Sequence, residues 1–193
     1  MTGQQQEPVR VAVVGLGRFG RLHSLTLAGL AEAELVGLVA RREESVTQLQ
    51  SELPGVPGWT DLETALSECN AEAWVVAATT SSHASITRTL LEAGKTVLLE
   101  KPISEDLKEA RSLAPLITED SGNLMIGHIL LFNSEFRQVL EEVALSPLML
   151  EAIVGASPDA LELFDFALTV TRTTARAVAL ILGTLRFGTK IRD

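Results

Sequence analysis

The chain has few of several things, and each shortage removes a class of protein. Cys69 is its single cysteine, so no internal disulfide can form, and with no Cys or His beside it Cys69 is also a poor metal ligand. It reads as a packed or half-exposed thiol, and no metal site is expected. Positive charge is scarce: 16 Lys and Arg stand against 25 Asp and Glu, a formal net charge of −9. A nucleic-acid surface needs clustered Lys and Arg to displace counterions, so that class is excluded and any phosphate binding must be local. Long apolar runs are missing too. None reaches the ~18 residues of a membrane span, and the longest candidate, residues 177–183, is flanked by Arg176 and Arg186. Residues 1–8 have neither a basic stretch nor an apolar one, so they read as a flexible lead-in and not a signal peptide, and a cytoplasmic protein is expected.

Apolar residues, in contrast, make up 46% of the 193, enough for one full core plus a remnant. The most informative stretch is Val9-Arg10-Val11-Ala12-Val13-Val14 running into Gly15-Leu16-Gly17-Arg18-Phe19-Gly20. An apolar strand entering G-x-G-x-x-G predicts a phosphate cradle. Gly15 allows the tight turn, Gly17 lets the backbone approach a pyrophosphate, and Gly20 lets the next helix pack on the strand. The N–H groups at that helix start, those of Arg18 and Phe19 among them, face the phosphates with the helix dipole behind them.

Strands and helices then alternate. Strands are predicted over residues 34–39, 73–78, 96–100 and 123–126, and helices over 43–52, 83–93 and from a cap formed by Ser104 with Glu105 and Asp106 to about 117. Thr60-Asp61-Leu62-Glu63 reads as a capping box, and Gly94 as a helix stop. Short links and strands apolar throughout imply an α/β fold, a doubly wound parallel sheet of the Rossmann kind, with its ligand crevice at the carboxyl ends of the strands.

That edge carries the candidate site. NAD-selective proteins place an Asp or Glu about 20 residues past the glycines to hold the ribose 2′-OH; here Ala40-Arg41-Arg42 stands instead. Two guanidinium groups suit a 2′-phosphate, which favours NADP over NAD, although Arg41 stacked on adenine is compatible with NAD. Thr79-Thr80-Ser81-Ser82-His83 is a hydroxyl-rich loop where a nicotinamide ribose passes, Thr79 being the better candidate and His83 as well explained by a surface position as by ligand contact. Glu100-Lys101-Pro102 sets an ionic pair directly after a buried strand, and Pro102 keeps Lys101 extended so that its ammonium can be aimed at the cleft.

Together with Leu91-Glu92-Ala93-Gly94-Lys95-Thr96-Val97 and the glycine stretch through His23, these motifs resemble the glucose-fructose oxidoreductase / inositol dehydrogenase (Gfo/Idh/MocA) family over about residues 9–143. The resemblance implies a first domain that binds NAD or NADP, with Glu100 at the cofactor ribose and Lys101 in a substrate and catalytic role. Thr80 stands where the family usually has Pro, and Leu131 where an Arg is common, near Gly127-His128 and Phe132-Asn133.

Residues 144–193 depart further. The family continues into an α/β domain with an Asp-x-x-x-His acid/base, whereas the histidines here are His23, His83 and His128. Ser157-Pro158-Asp159 and residues 175–182 suggest a short helical tail, a remnant of or replacement for the substrate domain. Two functions follow. One is an oxidoreductase moving hydride between nicotinamide and a sugar, polyol or related carbonyl substrate. The other is a catalytically incomplete dinucleotide-binding fragment or sensor, with Leu161, Leu163, Phe164, Phe166 and Leu168 serving as an interface to a second copy or a partner subunit.

Overall fold

The computed structural model describes residues 7–117 and 122–128. The expected tail helices, Phe132-Asn133 and the apolar positions from Leu161 to Leu168 lie outside the described residues, as do residues 129–143 of the expected 9–143 domain and the whole of 144–193.

Strands β1 (Val9–Val14), β2 (Ala33–Val39), β3 (Gly58–Trp59), β4 (Ala73–Val76), β5 (Thr96–Leu99) and β6 (Leu124–Ile126) form one sheet in the order β3-β2-β1-β4-β5-β6. All five pairings are parallel. The chain crosses the sheet between β1 and β4, and this reversal of direction opens a crevice at the carboxyl edge. Helices α1 (Arg18–Ala28), α2 (Glu43–Glu52), α3 (Leu62–Glu68), α4 (Thr80–Glu92) and α5 (Leu107–Arg111) supply the links between strands. Two apolar clusters follow, one holding Val14, Trp74, Val76, Leu90 and Leu99, the other Val11, Val13, Leu38 and Leu49. Adjacent residues of β1 fall into different clusters, as a strand covered on both faces requires.

Local chemistry explains where the elements differ from expectation. Strand β3 was not anticipated: its two residues pair Leu38 with Gly58 and Val39 with Trp59, too short a run to show a period. The cap of α3 is Asp61, not Thr60, because the Asp61 carboxylate accepts from the Thr64 N–H at 2.8 Å. Of the expected group Ser104, Glu105 and Asp106, it is Asp106 that caps α5, accepting from the Glu109 N–H at 2.9 Å. That helix stops at Arg111 instead of reaching residue 117, since Pro115 lacks an N–H and its ring collides with the carbonyl four residues back; a 3₁₀ turn, Ala114–Leu116, replaces the helix.

Helix α4 begins at Thr80, three residues before the sequence pattern suggested. It ends as expected. Gly94 takes φ +71°, its N–H donates to Leu91 and the Lys95 N–H to Leu90, the paired bonds of a Schellman stop. The Lys95 ammonium then donates to the Ala71 carbonyl at 2.9 Å, so Ala93-Gly94-Lys95 ends a helix and straps it to the start of β4. Cys69 is buried, and burial pushes its thiol pKa up, which keeps it protonated and inert. Among the described residues no helix is long and apolar enough to cross a membrane.

Candidate dinucleotide site

Val14 is in register with Val39 and with Val76, Val76 with Leu99, and Leu99 with Ile126, so five strands end along one line. The hydrogen bonding continues one step past it. The N–H of Gly15 donates to Val39 at 2.8 Å, Ala77 to Val14 at 2.8 Å, Glu100 to Val76 at 2.9 Å, and Gly127 to Leu99 at 2.7 Å. The loops that follow are therefore fixed at their roots.

The three motif glycines have three different reasons. Gly15 has φ +89°, and a Cβ there would lie 2.4 Å from the Ala78 backbone, so the turn and the close approach of the β4 loop both demand glycine. A Cβ on Gly20 would lie 1.7 Å from the Gly15 carbonyl oxygen, so the helix could not sit this close to the turn. Gly17 differs: a Cβ would meet nothing within 4 Å. It is the N-cap of α1 and supplies no side chain to the helix's free N–H groups. Open space over uncapped amides, with the positive end of the helix dipole behind them, is what a pyrophosphate requires. Arg18 and Phe19 are exposed in that first turn, the guanidinium 5.9 Å from the ring centroid.

At the β2 end Arg41 and Arg42 are both exposed, and Arg42 is the N-cap of α2 without a side-chain cap bond. No carboxylate lies between Val39 and Glu43, so the tip of β2 presents two guanidinium groups.

On the other half of the crevice Thr79 is the N-cap of α4 and Thr80 its first residue; Thr79 Oγ1 lies 3.2 Å from Ser82 Oγ, and the helix start again lacks a side-chain cap bond. Ser81 and Ser82 are inside the first turn and not at the cap. His83 is only 2% exposed. Its Nδ1 lies 2.7 Å from the Pro102 carbonyl oxygen and its Nε2 3.0 Å from that of Ala78, so both ring nitrogens are engaged by main chain and neither is left for a cofactor. Both the surface and the ligand placement of this side chain give way to a buried one, because α4 starts early enough to turn His83 inward.

Glu100 and Lys101 occupy the crevice end of β5, but their side chains do not form the expected ion pair. Glu100 Oε1 instead meets His23 Nε2 at 2.8 Å, and Oε2 accepts from the Lys101 main-chain N–H at 3.3 Å. The His23 bond holds the Glu100 carboxyl below its ordinary pKa against the opposing effect of burial, and the Lys101 charge adds to the lowering. Lys101 is exposed, and the Lys101–Pro102 bond is cis. A Cβ on Gly127 would stand 3.3 Å from the Glu100 carboxylate, so glycine there gives the carboxylate its room. His128 completes the group: burial pushes its pKa down, the Lys101 charge pushes it further down, and Glu100 opposes.

His23, Gly127 and His128 thus join the site, although the motifs that contain them, the glycine stretch through His23 and the Gly127-His128 passage, gave them no site role. His23 lies three positions after Gly20, the helical spacing that shares a face, and this was the one available signal; its partner is 77 residues away.

A parallel sheet in this strand order, with a glycine-lined and uncapped helix start at its point of reversal, defines a dinucleotide-binding domain. The chain belongs to the Gfo/Idh/MocA oxidoreductase family, whose NAD-binding Rossmann-fold model matches residues 9–128. It is 24% identical over 143 residues to 4-carboxy-2-hydroxymuconate-6-semialdehyde dehydrogenase of Sphingobium sp., covering 74% of this chain and 45% of that protein. To inositol 2-dehydrogenase of Rhizobium meliloti it is 24% identical over 157 residues, covering 79% and 46%. The crystal structure of GenD2 from gentamicin A biosynthesis, in complex with NAD, superposes with a TM-score of 0.63 at 28% identity, covering 75% of this chain and 41% of that one. The chain therefore spans less than half the length of these proteins.

Proposed function

We propose that this chain is the cofactor half of a nicotinamide-dependent oxidoreductase acting on a hydroxyl or carbonyl carbon of a sugar, polyol or related small molecule. The observation that carries the reading is the open space at Gly17 over the uncapped start of α1, in line with Glu100 and Lys101 on the same sheet edge. When bound, the nicotinamide supplies hydride chemistry.

This chain's residues bind and orient. Gly15, Gly17 and Gly20, with the amides of Arg18 and Phe19, take the pyrophosphate. Arg41 and Arg42 take the adenosine ribose and favour a 2′-phosphate, hence NADP over NAD. Thr79 and Thr80 face the nicotinamide ribose, joined by Glu100, whose carboxylate His23 keeps ionised. Lys101 holds the substrate oxygen and stabilises negative charge developing on it. An inositol-like substrate suits this reading, since an inositol 2-dehydrogenase is among the relatives. Location in the cytoplasm, and association with a second copy or a partner through residues 144–193, belong to the same proposal.

Binding without turnover is the second reading, supported by the absence of histidine from residues 129–193, where the resemblance places the acid/base. One experiment addresses both: thermal melts of the protein alone and with NADP(H) or NAD(H), followed by a sugar and polyol screen. Ligand at 100 times its Kd adds about 2.7 kcal/mol and raises the Tm by several degrees. A larger shift with NADP supports the cofactor reading; no shift with either overturns both readings. A shift without turnover leaves the binding reading.

A further inference from the structure

Resting on that reading, we infer that His83 is a positioning residue: its buried ring ties the loop after β4 to the loop after β5 and so fixes Lys101 beside the nicotinamide half of the crevice. Both loops leave adjacent strands, Val76 being in register with Leu99, and both carry residues assigned above to that half.

The ring touches main chain on each side. Nε2 meets the Ala78 carbonyl, the residue before Thr79, and Nδ1 meets the Pro102 carbonyl, the residue after Lys101. Ala78 is also the residue whose backbone would lie 2.4 Å from a Cβ on Gly15. One flat ring therefore stands between the glycine turn, the threonine loop and the Lys101 segment, with one ring nitrogen 2.7 Å from a main-chain carbonyl oxygen and the other 3.0 Å from a second. A carbonyl oxygen left without a partner in a buried setting is costly, so the ring N–H restrains the loop whose carbonyl it meets, and the other loop is held against the buried ring.

Lys101 is held from both directions. Its own N–H is taken by Glu100, which His23 anchors, and the carbonyl of the following Pro102 is taken by His83. The backbone is fixed while the side chain stays exposed for a ligand. Imidazole suits the task because its two nitrogens lie on different sides of a rigid ring. A neutral ring donates to one carbonyl and a protonated ring to both from opposite sides, whereas a glutamine amide carries both of its N–H donors on one nitrogen.

The test uses the full 193-residue chain as wild type, His83→Gln and His83→Leu. Calorimetric titration measures Kd for NADPH and for 2′-phospho-ADP-ribose, which lacks the nicotinamide. The expected result is about tenfold weaker NADPH binding in both variants with the truncated ligand changed less than about twofold, a selective loss of ~1.4 kcal/mol. The fluorescence of bound NADPH, which reports the surroundings of the nicotinamide, should shift toward that of free NADPH at saturation. Equal weakening of both ligands, or of neither, overturns the inference, since a purely structural histidine does not separate the two halves.

Hydrogen exchange makes the test independent of ligand. Residues 77–80 and 100–104 should lose protection together in the variants while α2 is unchanged; opening of one segment alone overturns the tie. In wild-type protein labelled with ¹⁵N-histidine, a slowly exchanging His83 ring N–H is expected, and a fast one overturns the inference even if neither variant folds. Wild type that binds neither these two ligands nor NADH refutes the cofactor reading and with it the nicotinamide role, whereas the exchange data judge the tie by themselves.

Discussion

His23 Nε2 lies 2.8 Å from Glu100 Oε1, joining the first helix to the end of the fifth strand. Removing one partner of a half-buried bond to a charged group leaves the other desolvated. His23→Ala should destabilise the protein by about 1–2 kcal/mol and bring the Glu100 pKa up toward its ordinary value. Urea unfolding and a ¹³C titration of the Glu100 carboxyl measure the two effects; an unchanged carboxyl titration would remove His23 as the cause of the lowering.

Acid should weaken the fold through two groups acting in the same direction. Glu100 titrates below its ordinary value, so its contribution is present above the unfolded pKa and is lost as pH falls through the folded one. His128 is also lowered, so the unfolded chain takes up that proton first as pH falls below the ordinary histidine value. Stability should therefore rise with pH across the acid range. The urea midpoint measured between about pH 4 and 7 tests the sign, histidine acting at the upper end and the carboxyl at the lower.

The glycines should separate folding from binding. Gly20→Ala drives a Cβ against the Gly15 carbonyl and should cost upward of about 3 kcal/mol. Gly17→Ala meets open space and should cost at most about 1 kcal/mol as an altered cap, while weakening dinucleotide about tenfold or more. Melts and titrations on the same samples decide; Gly17→Ala with wild-type affinity would place the pyrophosphate elsewhere.

Arg41→Ala should reduce the preference for NADP over NAD by about tenfold, the worth of one charge-assisted contact to phosphate. Parallel Kd measurements in low salt give the ratio, and an unchanged ratio removes Arg41 from the 2′-phosphate.

Lys101→Ala should leave stability within about 0.5 kcal/mol because the side chain is exposed. Any turnover found in a sugar and polyol screen should fall by about 10² or more. Turnover at the wild-type rate would place the substrate oxygen on another group.

Sequence patterns reported some of this directly and could not report the rest. Apolar runs at residues 11–14 and 73–76 read as strands covered on both faces, and Gly94 after an amphipathic run reads as a helix stop. Glycine spacing indicated the crevice because Gly15 and Gly20 meet local geometric demands and Gly17 leaves the helix start open. Pairings across long separations left no such trace. Gly58 and Trp59 become a strand only because β2 lies beside them, and His23 becomes a site residue only because the crossover brings Glu100 to it. His83 misled for a related reason: a polar residue in a first turn reads as exposed until the carbonyls of Ala78 and Pro102 are placed around its ring.

The row of N–H groups at Gly15, Ala77, Glu100 and Gly127 extends the sheet's bonding by one step beyond the last strand residues. A molecule entering the crevice thus meets loop bases already ordered by folding and loses little further conformational freedom by fixing them. Affinity can then depend on contacts made farther along each loop, so those outer positions can change to admit different ligands while the floor beneath them stays the same.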